Sequence, residues 1–121
     1  MFYAARAQDA VATISGVKDE LSLAALPAQD TQAIIDDLSD VYPQLIPAAN
    51  VLETSLNNMN TVDHPLPVLL NAGSIERGEK FRHYFDGITP AIGDVVEQMD
   101  QERVAVGRAY GLDILSLRDA Y

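Results

Sequence analysis

The residues whose types and spacing could do chemistry gather in one stretch, NVLETSLNNMNTVDHPLPVLLNAGSIE, residues 50–76. His64 is the candidate proton carrier there. It stands directly before Pro65, which restricts its backbone away from the α region, while proline suits the first position of the helical run LPVLLNAG. His64, or Asp63 beside it, is therefore the expected N-cap. An imidazole at a helix start meets the positive end of the dipole, which favours a neutral ring able to accept a proton, so His64 reads as a general base or as a satisfied structural histidine. Asn50, Glu53, Asn57 and Asn60 follow an i, i+3, i+7, i+10 pattern and in one helix would share a stripe, with Val51, Leu52, Leu56 and Met59 on other faces. Asn competes for its own backbone, so such a stripe is either the polar wall of a substrate pocket or a set of caps and turns where the chain bends.

Other chemistries find less support. With no cysteine and two histidines, thiolate zinc sites, disulfides and cysteine nucleophiles are excluded, and hydrolysis at a metal held by Glu53, His64 and Asp100 has no ligand spacing behind it. Eighteen acidic against eight basic residues give a formal charge of -10, which argues against nucleic acid as a partner. No apolar run is long enough to span a bilayer, and no basic flank with an apolar core marks a signal sequence, so a soluble, cytoplasmic protein is expected. Arg77, Lys80, Arg82 and His83 concentrate positive charge after Gly73 and around Gly78. They could contact a carboxylate or a nucleotide phosphate, or form an exposed loop.

The elements that must position these residues are predicted to be α+β and predominantly helical. FYAARA, AVATISGV and ELSLAAL read as three short strands in an antiparallel meander over residues 1–26, ended by Pro27, with an Ala-rich helix as the alternative for the first run. Asp30 or Thr31 should cap a helix burying Ile34, Ile35, Leu38 and Val41, with Asp36, Asp37 and Asp40 in solvent. Pro43 and Pro47 mark a turn, which places a domain boundary near Leu45, separating residues 1–45 from 46–121. Beyond Gln29 everything except loops should be helical. The longest helix should open at Thr89-Pro90 and run to Tyr110, with Gly111 as its stop and Ile92, Val95, Val96, Met99, Val106 and Tyr110 as its buried stripe. Gly93 and Gly107 in that helix suggest close approach of another helix, and Asp100 and Arg103 suggest a surface ion pair. Leu112 to Tyr121 reads as a further amphipathic segment.

Residues 50–76, followed by YFDGITPAIGDVVEQMDQERVAVGRAYGL, resemble the helical substrate domain of the octopine/nopaline (opine) dehydrogenase family. The N-x-x-x-x-x-x-N-N, H-P, L-L-N-A-G-x-I-E, G-I-T-P and D-x-E-R elements carry the likeness in order. Residues 1–45 are similar, more loosely, to the closing strands and last helix of that family's nucleotide-binding domain. The resemblance implies a helical bundle like the 6-phosphogluconate dehydrogenase C-terminal-like domain. It also implies reductive condensation of an amino acid with a 2-oxo acid using NAD or NADP, with His64 as the acid/base, while Asn50, Glu53, Asn57 and Asn60 are expected to line the substrate on their spacing alone. The G-x-G-x-x-G fingerprint is absent, so the chain is expected to be an internal fragment that neither binds NAD(H) tightly nor turns over alone. By the same resemblance the acidic partner of the catalytic histidine lies beyond Tyr121, and Asp100 is not that partner. The competing reading is a stand-alone helical interaction module, homo-oligomeric through exposed helical faces such as that of the Thr89 helix.

Overall fold

The computed structural model describes residues 3–120, with backbone alone at residues 3 and 4, so Met1, Phe2 and Tyr121 of the predicted elements lie outside it. The chain divides after Thr54 into two compact units. The first begins with an antiparallel hairpin, β1 (Tyr3–Gln8) and β2 (Val11–Val17), joined at Gln8↔Val11 by a two-residue turn in which Asp9 takes a φ of 54°. Asp tolerates that left-handed conformation, which matches the twist of paired strands. β3 (Leu21–Leu23) leaves the hairpin and pairs in parallel with β4 (Leu45–Pro47). The expected three-stranded meander is thus a two-stranded hairpin plus a parallel pair, and one strand lies beyond Gln29. Parallel partners need a crossover, and α1 (Thr31–Leu38) supplies it, entered through a single 3-10 turn at Ala28–Asp30.

Thr31 does not cap α1. Its Oγ1 accepts the Ala25 N–H at 3.0 Å, fixing the loop after β3, and Asp30 occupies the N-cap position without a side-chain bond. Of the four apolar positions predicted for this helix, Ile35 is buried, with Leu45 and Ala48 also in the core, while Ile34 and Val41 face solvent. One short helix over two three-residue strands buries only a narrow strip. Asp36, Asp37 and Asp40 are exposed, as their spacing predicts.

Helices fill the remainder: α2 (Val51–Leu56), α3 (Asn60–Asp63), α4 (Pro65–Leu70), α5 (Ala72–Glu76), α6 (Pro90–Ala109) and α7 (Leu117–Ala120). α6 is the longest, and its start is the predicted one, with Pro90 in the first turn and Thr89 Oγ1 accepting the Ile92 N–H at 3.4 Å. Gly111, at a φ of 73°, follows its C-cap Tyr110. Its buried face, however, is Val96, Asp100, Arg103, Val104 and Gly107, so Val95, Met99, Val106 and Tyr110 of the predicted stripe are exposed.

Asp100 and Arg103 explain the rotation. They form a buried pair, not a surface one, with side chains 4% and 6% exposed and Arg103 Nη2 2.6 Å from Asp100 Oδ1. Arg103 also donates to the carbonyls of Leu56 and Leu115, and Asp100 Oδ2 accepts the Leu117 N–H at 2.7 Å. Charge reaches the interior because each group finds several partners there. Gly107 is required by Ile114, whose Cγ1 would lie 2.1 Å from an added Cβ. The predicted close approach is therefore made by the non-helical segment after α6, and Gly93 meets only Ile88 Cγ2 at 4.0 Å.

Candidate active site around His64

α3 and α4 meet at His64. Its backbone stays in the right-handed helical region, at φ -103° and ψ -53°, so Pro65 stretches the junction without expelling His64 as predicted. Pro65 takes the first position of α4, and no side chain caps this end. The imidazole is left for other contacts, and with its side chain 47% exposed it is open to a ligand. Tyr84 Oη lies 3.2 Å from His64 Nε2, and the His83 ring stacks on that of His64 at 5.2 Å between centroids and 23° between planes. Tyr84 stands edge-on to both imidazoles. His83 Nε2 lies 3.2 Å from the carbonyl oxygen of Asp63. A carbonyl only accepts, so His83 carries its proton on Nε2.

Twenty residues separate His64 from Tyr84, and a chain of local bonds closes the gap. Asn71, at the end of α4, donates its side-chain amide to the Pro67 carbonyl at 2.7 Å and to the Gly87 carbonyl at 2.8 Å. Gly87 closes the turn that carries His83 and Tyr84, since its N–H and that of Asp86 both reach the Arg82 carbonyl. An added Cβ at Gly87 would sit 2.5 Å from the His83 carbonyl oxygen, so no larger residue fits. Arg82 and Asp86 clamp the same turn through two guanidinium contacts at 3.0 Å and a backbone N–H at 2.9 Å. The Arg82 guanidinium holds the Asp86 carboxyl down at about 2. Arg82 also lies over the Phe85 ring at 4.9 Å.

The predicted concentration of positive charge is thereby neutralised in part. Arg82 is paired with Asp86 and Arg77 with Glu79 at 2.6 Å, which lowers the Glu79 carboxyl below its usual range. His83 belongs with His64, not with a cationic loop. The second acid at the site is Asp63, the last residue of α3, whose side chain is 4% exposed and whose Oδ1 lies 3.8 Å from His64 Nε2. Among the described residues no cluster of three or more His, Asp or Glu side chains is placed to hold a metal ion.

The four polar residues upstream do not share one helical stripe, because α2 ends at Leu56 and α3 begins at Asn60. Asn50 Oδ1 accepts the N–H groups of Leu52 and Glu53 at 3.0 and 3.1 Å, and Glu53 Oε2 accepts that of Ala49 at 2.7 Å, a reciprocal cap at the start of α2. Asn57 Oδ1 accepts the Leu115 N–H at 3.2 Å. Asn60, four residues before His64, is exposed. Tyr84 and Asn71 escaped the sequence reading. The signals were an Asn at a helix end followed by Ala-Gly, and an aromatic directly after the second histidine.

The geometry defines a solvent-open imidazole held by a tyrosine and a second histidine, on a bundle of short helices ahead of one long one. Residues 47–121 match the family model of the alpha-helical domain of NAD/NADP octopine/nopaline dehydrogenase, and the chain belongs to that family of oxidoreductases. It is 40% identical over 109 residues to the opine dehydrogenase of Arthrobacter sp. (strain 1C), a match covering 90% of this chain and 30% of that protein. The chain thus spans under a third of the length of the curated relative it matches. Among the described residues no helix is long and apolar enough to cross a membrane.

Proposed function

We propose that this chain is part of an opine dehydrogenase-like enzyme that condenses the amine of an amino acid with a 2-oxo acid and reduces the resulting imine with NADH or NADPH, and that His64 is its acid/base. The observation that carries the proposal is the exposed His64 imidazole, anchored by Tyr84 within the stretch that matches the family's helical domain. A neutral ring there takes the proton released as the amine adds to the oxo carbon and returns one as water leaves. Asn60 is the polar neighbour best placed to meet substrate, because Asn50, Glu53 and Asn57 bind the backbone.

The nicotinamide cofactor does not fit the residues present. In the βαβ crossover formed by β3, α1 and β4, the link AALPAQD carries no glycine, so the close backbone approach that cradles a pyrophosphate has no counterpart, and hydride transfer is not assigned to these residues. In this proposal residues 1–45 close a nucleotide-binding domain and the remainder opens the helical substrate domain. Calorimetry on the 121-residue chain should therefore show no NAD(H) binding tighter than about 10 μM, a scale for specific small-ligand affinity.

The direct test is His64→Gln in the full-length enzyme that carries this chain. The expected result is a fall in kcat by about 10²- to 10⁴-fold with nucleotide binding retained, and loss of a near-neutral ionisation from the pH profile of kcat/KM. A rate within about threefold of wild type, far below the loss typical of a missing acid/base, overturns the assignment.

A further inference from the structure

Asn71 ends α4 with an amide that reaches two carbonyls at once. Its backbone, at φ -103° and ψ 13°, is not the left-handed cap that Asn often supplies, so the side chain is what the position needs. One N–H returns to Pro67 at 2.7 Å, within the helix, and the other crosses 16 residues to Gly87 at 2.8 Å. A serine there would offer one donor and an ionised aspartate none, so both carbonyls call for an amide. The turn it meets holds its own shape, because the Arg82–Asp86 bonds lie within it and the Gly87 N–H closes on the Arg82 carbonyl. Shape alone does not give it a place. Asn71 to Gly87 and His83 to the Asp63 carbonyl tie the turn to the helices, and Tyr84 between those ties reaches His64 Nε2 at 3.2 Å.

We propose that Asn71 is a positioning residue for His64, acting through Tyr84. By holding Gly87 it sets where the Tyr84 hydroxyl stands, and the hydroxyl steadies the imidazole through Nε2. Anchoring matters because Tyr84 is 53% exposed, so water competes for its hydroxyl and a loosened turn would give up the contact with the ring. Tyr84 engages one ring nitrogen, which leaves the other to the acidic partner that the family resemblance places outside these residues. Asn71 itself transfers no proton. Its catalytic consequence rests on the acid/base reading above; the placement of Tyr84 does not.

The test has two arms. In NMR spectra of the 121-residue chain, the nuclear Overhauser contact between the Tyr84 and His64 rings, 5.8 Å apart at their centroids, should be present in the wild type and lost in Asn71→Ala. Its persistence in the folded variant overturns the inference. In the full-length enzyme, Asn71→Ala should lower kcat by about 2- to 13-fold, the range of one lost hydrogen bond, with KM for the nucleotide unchanged. Added to Tyr84→Phe, it should cost no more than about 1.6-fold further, the scatter of independent sites, because the hydroxyl through which it acts is gone. A role confined to stability would leave kcat of the folded enzyme unchanged, and an equal loss with and without the hydroxyl would mean another route; either result defeats the inference. If Asn71→Ala does not fold, the wild-type chain decides. On warming below its unfolding midpoint, protection of the Asn71 side-chain amide and the Tyr84–His64 contact should disappear together, and a ring contact that outlasts the amide bond sinks the idea. A wild-type rate in His64→Gln would remove the acid/base reading alone, and the spectra would still decide what Asn71 holds.

Discussion

His64 is legible in the sequence because a histidine before proline, ahead of an apolar helical run, is a local signal. Its partners are not local. Tyr84 lies in an exposed turn tied to the helices by the Asn71 amide and the His83 ring, and no periodicity points to it. Asp63 was visible only as an alternative cap, and it is buried together with Val62 beside it and Pro67 on α4. If Tyr84 orients the ring, Tyr84→Phe in the full-length enzyme removes one hydrogen bond of about 0.5–1.5 kcal/mol and should lower kcat by roughly 2- to 13-fold, far less than loss of the imidazole. Steady-state kinetics beside His64→Gln would show this, and an unchanged kcat would remove Tyr84 from the site.

At the level of elements, the α6 cap was readable because Thr-Pro at a start and Gly after an end act locally, whereas which face of α6 is buried was not. Hydrophobic periodicity assigns core positions to apolar side chains, and here a charged pair with backbone partners took them. The parallel pairing of β3 with β4 was hidden for a similar reason, since three-residue strands carry too little pattern to choose a partner. The turn from Arg82 to Gly87 gives two tests. Asn71→Ala loses bonds to Pro67 and Gly87 and should destabilise the second unit by about 1–3 kcal/mol, read as a lower denaturation midpoint at unchanged slope. Asp86 titrates at about 2 in the folded chain, below its ordinary 3.8. A carboxyl depressed by folding contributes stability that is full above its ordinary value and lost as pH falls towards about 2. NMR should find its carboxyl carbon midpoint near 2 in the wild type and back in the ordinary range in Arg82→Gln.

For the molecule as a whole, motif order led to the family that the helical-domain match shows. The largest single stability effect should come from Arg103. Arg103→Met leaves Asp100 buried and uncompensated, and removing one partner of a buried pair costs about 3–5 kcal/mol, measurable by urea unfolding. Arg103 reaches Leu56, 47 residues earlier in the chain, and Leu115, 12 residues later. A guanidinium enclosed before those carbonyls arrive would be stranded without solvent, so half-assembled forms of the second unit are disfavoured. The amides of Leu117 and of the α6 interior should then exchange with deuterium at one common, slow rate, opening together or not at all.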